Sequence, residues 1–322
     1  MSAPDSRYPG PFSWRFLHPR YLGAWLAVGA LRLIALLPGR WRLALASRLG
    51  DLAYERNAKR RTIVEINLAM CFPEKSAQER AELARGFFRQ FMQTQLDYGL
   101  LWWGSGRAID ARITVEGEEH LRPHVEAGRP VILLTGHHVA VDFAGIAINR
   151  RYKATSMFKR LRDPVLDWFV ARGRTRQGGL MFERNDNMRP LVRLIRNGYL
   201  FYYMPDEDLG PEKSVFAPFF GVPAATLTAL GKLTRLCGAV VVPFMAYHRD
   251  GRYVARLFPA LENYPTGDDV TDATAMNRAL EDMIRLDPTQ YVWSLRLFQT
   301  RPDGLPDPYP RKGRGHRVDV GV

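Results

Sequence analysis

The chain has 322 residues, of which 46% are hydrophobic and 25% charged, a balance that supports a packed core and excludes wholesale disorder. Its length suits one large domain or two modest ones. A formal net charge of +13, with a pI near 10.0, points to an anionic partner: nucleic acid, an anionic membrane, a phosphorylated substrate or an acidic protein. The two cysteines, Cys71 and Cys237, exclude a disulfide framework and fit a reducing compartment. No Cys/His cluster has the spacing of a zinc site.

Residues 1–20 carry Pro4, Pro9, Pro11 and Pro19 and read as an irregular lead-in. The 17-residue segment from Tyr21 to Leu37 is apolar apart from Arg32 and reads as a membrane anchor or an interfacial helix. It lies at the lower limit for a span, which needs roughly 20 residues. Arg40, Arg42, Arg48 and Lys59-Arg60-Arg61 follow it and outnumber the basic residues before it, so the positive-inside tendency puts the body of the chain in the cytoplasm. No small-residue cleavage site follows, which argues against a removed signal peptide.

The body, 38–300, begins with a helical part to about residue 105. Trp41–Tyr54 and Ala58–Met70 read as amphipathic helices. Ser76 with Glu79 forms a capping box for a third, which runs to about Trp103 and is broken by Gly104-Ser-Gly106. From Ile113 short apolar runs (130–135, 153–158, 180–182, 199–204, 239–247) alternate with helix-like stretches (139–149, 163–176, 186–197, 223–236). Arg252–Pro259 adds a strand, and Asp268–Leu286 a late helix. The fold class expected is α/β, a mixed sheet covered by helices, behind the N-terminal helical region. The segment 301–322, rich in Pro and Gly, reads as a flexible basic tail.

The feature richest in chemistry is Thr135-Gly-His-His-Val-Ala-Val-Asp142, after the run Pro130–Leu134. His137 and Asp142 are spaced His-x4-Asp where a strand end opens a helix, the place where open α/β sheets put chemistry. A carboxylate on one ring nitrogen leaves the other free to take a proton from an alcohol. His138 is the competing histidine. Arg172-Gly-Arg174-Thr-Arg176 could bind phosphate or an oxyanion, or be a solvated helix end. Asp206 and Asp208, past the strand ending at Pro205, could orient a cation such as Arg174 or contact substrate hydroxyls. Lys213 is a candidate for a substrate phosphate. The three phenylalanines of Lys213–Gly221, read as a loop, either cover an acyl tunnel or fold onto the core. The chain has no glycine-rich phosphate loop and no Gly-x-Ser-x-Gly elbow, so direct transfer, with the acceptor hydroxyl as nucleophile, is favoured over a serine acyl-enzyme.

Six ordered blocks carry a family resemblance: Arg61-Thr-Ile-Val-Glu-Ile-Asn67-Leu-Ala-Met-Cys71-Phe-Pro73; Gly136-His137 with Asp142; Gly173-Arg174; Pro205-Asp206-Glu-Asp208; Ser214–Gly221; and Tyr291-Val-Trp293 with Thr300-Arg301-Pro302. Over roughly residues 20–302 the chain resembles the lipid A late acyltransferases (lauroyl and myristoyl transferases), of the wider glycerolipid-acyltransferase-like group.

The resemblance implies an enzyme on the cytoplasmic side of the inner membrane, moving a fatty acyl chain from acyl carrier protein to a hydroxyl of a Kdo-bearing lipid A precursor. His137 would be its base and Asp142 the orienter, with Arg174 and Asp206 in support and no metal or cofactor. The expected partners are acyl carrier protein, the lipid A precursor and an anionic membrane, with no nucleic acid. Many members carry Glu where this chain has Asp142. Two rivals stay open: an acyltransferase acting on glycerol phosphate or a glycolipid, and a basic non-catalytic membrane-binding protein.

Overall fold

The structure, a computed structural model, describes residues 8–183 and 188–310. Short 3-10 turns at Trp14–Leu17 and Pro19–Tyr21 lead into α1 (Leu22–Ile34). Three longer helices follow: α2 (Gly39–Arg56), α3 (Ala58–Cys71) and α4 (Ala77–Trp103). The expected capping box starts α4: the Ser76 hydroxyl accepts from the Glu79 N–H and the Glu79 carboxylate from the Ser76 N–H. Gly99 lets α1 lie close on α4, since a Cβ there would meet the Ala35 Cβ at 2.6 Å. Arg42, counted above among the basic residues that follow the apolar segment, is buried, 2.7 Å from Asp97, whose other oxygen accepts from Gln93 and Tyr253. A buried carboxylate needs such a full set of donors.

The short α5 (Gly106–Asp110) leads to β1 (Ile113–Glu116), α6 (Arg122–Glu126), β2 (Val131–Leu134), α7 (Val141–Asn149), β3 (Ala154–Phe158), α8 (Pro164–Thr175) and β4 (Leu180–Glu183). Then come α9 (Met188–Arg196), β5 (Leu200–Tyr203), the hairpin β6 (Ser214–Phe219) and β7 (Val222–Leu227), α10 (Ala229–Cys237), β8 (Val240–Arg249), β9 (Arg252–Leu257) and α11 (Asp269–Leu286). Seven strands form one sheet in the order β1-β9-β8-β2-β5-β3-β4, with β8–β9 its antiparallel pair. This is the mixed α/β sheet expected. β2 and β5 are buried along their whole length, so they are apolar without alternation, as strands covered on both faces must be. Ile132, Leu134, Phe201 and Tyr203 pack under α3, α9 and α11 on one face. Val131, Leu133, Leu200 and Tyr202 pack under α7 and the end of α4 on the other.

Three expectations need correction. The stretch 223–236 is not one helix: β7 takes Val222–Leu227 and α10 starts at Ala229. Lys213–Gly221 is largely the strand β6 rather than a loop, and Phe219 and Phe220 fold onto Phe72, Trp293 and Phe298 instead of covering a tunnel. The tail does not begin at residue 301. Tyr309 is buried, and its hydroxyl donates to Asn67 and accepts from the Phe298 N–H; the rest of that expectation, 311–322, lies outside the described residues. Within the expected anchor or interfacial segment, α1 has 13 residues, about 20 Å of helix against roughly 30 Å of hydrocarbon. No helix among the described residues is long and apolar enough to cross a membrane. Residues 1–7 of the lead-in and 186–187 of an expected helix also lie outside the described residues.

Candidate active site

The register of two parallel strands builds the site. Leu134 of β2 pairs with Tyr203 of β5, and the pairing continues as the Thr135 N–H donates to the Tyr203 carbonyl. His137 stands three residues past Leu134 and Asp206 three past Tyr203, so the two chains carry them to the same height above the sheet. There Asp206 Oδ1 lies 2.7 Å from His137 Nδ1, and Oδ2 accepts the His137 backbone N–H at 2.7 Å and the Tyr291 hydroxyl at 2.8 Å. A carboxylate can only accept, so Nδ1 carries the proton and Nε2 is the basic nitrogen. Burial works against the charge of Asp206, but the His137 ring, its N–H and the Tyr291 hydroxyl more than offset it and hold the carboxyl below its usual range. Gly136 makes the approach possible: a Cβ there would lie 3.1 Å from the Tyr291 ring and 3.2 Å from Asp206 Oδ2. Glu207 stands on the Nε2 side, with an oxygen 3.9 Å away.

Asp142 is not the carboxylate on Nδ1. From the first turn of α7 it faces α8 and α4, where Arg174 grips it with Nε at 2.8 Å and Nη2 at 3.0 Å, and Tyr98 donates to it at 2.6 Å. The turn between β2 and α7 aims His137 at β5 instead, and Asp206 takes the role expected of Asp142. Burial opposes the charge of Arg174, yet Asp142 raises its pKa further above the ordinary arginine value. Asp208 is also placed otherwise than expected: it accepts from the Thr300 N–H and hydroxyl and from Gly210, clasping the end of the domain instead of facing ligand. Tyr98 and Tyr291, absent from the sequence-based site, complete the two carboxylate networks.

Comparison with known proteins settles what the frame belongs to. Residues 10–300 match the family profile described as bacterial lipid A biosynthesis acyltransferase. The chain belongs to that family. It is 36% identical to a lipid A biosynthesis acyltransferase of Haemophilus influenzae (92% of this chain, 94% of the relative). It is likewise 36% identical to the lipid A biosynthesis myristoyltransferase of Escherichia coli K12 (96% of each), and 35% identical to the lauroyltransferase of that strain (92% and 98%). It is therefore an acyl-transferring enzyme of lipid A biosynthesis.

In this acyltransferase His137, Asp142 and Arg174 line a cavity of about 770 Å³, within the range of ligand sites. Its apolar lining includes Ile146, Met157, Phe158, Met181, Val192 and Leu233. The phenylalanines of β6 take no part in it. Lys213, the candidate for a substrate phosphate, lines the cavity with Lys159 and Lys232; Lys232 is held 3.3 Å from Asp269.

His138 points away into the core. It is fully buried against Tyr291, and neither ring nitrogen has a hydrogen-bond partner among the described residues. Burial pushes its pKa down to about 4, so the ring is neutral in the folded protein at neutral pH. The unfolded chain takes up this proton near pH 6.5 and the folded chain only near 4, which favours unfolding as pH falls across that window. His138→Phe removes the two unpaired nitrogens and the titration. Thermal denaturation from pH 7.5 to 4.5 is expected to show the variant losing less stability than wild type, by up to about 3 kcal/mol, with acyl transfer retained. Parallel pH curves would refute this account of His138.

Proposed function

We propose that the enzyme transfers a fatty acyl chain from the thioester of acyl carrier protein to a hydroxyl of a lipid A precursor, with His137 as general base. The observation that carries this reading is the His137 ring, protonated at Nδ1 by its contact with Asp206, on the wall of a cavity lined by both apolar and charged side chains. Nε2 takes the acceptor hydroxyl proton as that oxygen attacks the thioester carbonyl carbon. The tetrahedral oxyanion collapses, the carbon–sulfur bond breaks, and the imidazolium returns its proton to the departing thiolate. Thioester and alcohol thus become thiol and ester, and the balance needs no metal or cofactor. Asp206 supports the imidazolium as it forms, and Asp142 fixes Arg174 at the cavity wall. Arg174 spends Nε and Nη2 on Asp142, so backbone N–H groups are the better donors for the oxyanion. Lys213 offers charge for an acceptor phosphate or the donor's phosphate-bearing arm.

The N-terminal region seats the enzyme on the cytoplasmic face of the inner membrane, lying in the interface. Leu22, Leu26, Leu33 and Leu36 form an exposed stripe on and just past α1, continued by Trp14 and Trp41, while Ala24 and Val28 face the protein. Exposed apolar surface on this scale marks a contact, and Arg15, Arg20 and Arg40 around it suit anionic headgroups. In a flotation assay Leu26→Glu with Leu33→Glu is expected to release the protein from anionic vesicles; unchanged flotation would remove the stripe as the seat.

The reaction is tested with acyl carrier protein thioesters of several chain lengths and a Kdo-bearing lipid A precursor. Chain-selective product is the expected result. Product only on glycerol phosphate would transfer the reading to glycerolipid acceptors, and folded protein inactive with every donor would overturn it.

A further inference from the structure

A second cavity, of about 1190 Å³, opens between the lead-in, α1, the end of α4 and α8. Four of the seven tryptophans line it, Trp25, Trp102, Trp103 and Trp168, together with Phe12 and Phe169. The turn after α8 and the start of β4 border both cavities: Gly179, Leu180 and Met181 line each. Arg174 faces the catalytic side of this turn, while the exposed Arg172 and Arg176 line the other side. The Trp102 indole is 8% exposed, and its N–H has no acceptor among the described residues. It is held beside Gly173, where a Cβ would meet Trp102 Cδ1 at 2.8 Å. A buried unpaired donor is uncommon and points to a partner that the polypeptide does not supply. Tyr8–Phe12 run along one edge, tied down by Trp168 Nε1 on the Gly10 carbonyl and by the Tyr8 hydroxyl on Asp167.

We infer that this aromatic cavity binds a second hydrocarbon chain of the acceptor lipid, one that is not being acylated, with Arg172 and Arg176 at its anionic headgroup and the Trp102 N–H on a carbonyl or hydroxyl oxygen of the chain. The inference rests on the lipid-acceptor reading above. Its grounds are independent of the catalytic residues: a wall shared with the catalytic cavity, an aromatic lining suited to a chain, paired cations and one unsatisfied donor. The site holds the acceptor by ground the transferred chain never touches, so it contributes to acceptor binding and leaves the chemical step alone.

The test fills the cavity with Thr175→Phe, which adds bulk on its wall and no tryptophan. In transfer assays the acceptor KM is expected to rise about tenfold or more, with donor KM and kcat nearly unchanged, the signature of lost uniform binding. A fall in kcat at unchanged acceptor KM would overturn the inference. Binding is read separately in a His137→Ala background by quenching of tryptophan fluorescence. The probe is a short-chain phosphatidic acid with brominated chains, kept below its aggregation concentration. Quenching that Thr175→Phe abolishes supports the site, and equal quenching in both proteins overturns it. Arg172→Glu with Arg176→Glu guards against a misfolded filling variant. It is expected to weaken quenching by the anionic probe and spare quenching by a brominated neutral diacylglycerol, whereas equal loss of both would refute the headgroup role. The quenching arms need no turnover, so a protein without lipid A acyl transfer would defeat the proposed function while these arms still report on the cavity.

Discussion

His137→Ala is expected to lower kcat for acyl transfer by about 10²–10⁴-fold, the usual contribution of a positioned base. Truncation also takes one of three donors from the buried Asp206 carboxylate, so some loss of stability accompanies it and kcat is compared on folded protein. Asp206→Asn tests the same mechanism one step back. The amide carbonyl could still accept from Nδ1, but the amide NH₂ would then meet two donors, the His137 N–H and the Tyr291 hydroxyl. The ring loses its fixed tautomer and its counter-charge, and kcat is expected to fall by up to about 10⁴-fold, as when the buried aspartate of a catalytic triad becomes asparagine. Tyr291→Phe, which removes one of three donors and keeps the packing, is expected to fall much less. Steady-state kinetics on purified, folded variants decides. If His137→Ala keeps wild-type kcat, the base is elsewhere; if Asp206→Asn does, Asp206 does not orient it.

Much of this arrangement was legible in the chain, for reasons that differ between residues. The strands 130–135, 153–158, 180–182, 199–204 and 239–247 announce themselves because short apolar runs lie between helical stretches, and in β2, β5 and β8 burial on both faces leaves almost no polar alternation. The capping box at Ser76 is local chemistry and reads locally. The hairpin β6–β7 was obscured because Pro218 and Pro223 sit inside it and the helix α10 follows at once. The partner of His137 illustrates the harder limit. The spacing to Asp142 is visible in one dimension, but which carboxylate meets Nδ1 depends on β2 and β5 being neighbours in register. Sequence separation says nothing about that neighbourhood. Equal offsets of His137 and Asp206 from the ends of two apolar runs were the available signal, useful only to a reader who had already paired the strands. Tyr98 lay hidden for a related reason: on α4 it looks like any core aromatic, and its hydroxyl matters only once α7 is laid against it.

Asp142 remains coupled to the site through Arg174, and that coupling has a large expected effect. The pair is nearly buried, with side-chain exposures of 10% and 21%, and is bidentate, with Tyr98 as a third member. Removing one partner leaves an uncompensated charge in a low-dielectric wall, whereas removing both leaves only space. Asp142→Ala alone and Arg174→Ala alone are each expected to destabilise the fold by about 3–5 kcal/mol, and the double variant by clearly less than the sum. Denaturant titration of the four proteins measures the coupling. Additive losses would mean that the two groups do not interact in solution. Activity is expected to separate them from Asp206: Asp142→Ala frees a guanidinium on the wall of the cavity that His137 lines and so depresses transfer as well as stability, and Arg174→Ala on top of it should recover stability first. That order of recovery would show that Asp142 acts on catalysis by governing Arg174, while the histidine takes its orientation from the neighbouring strand.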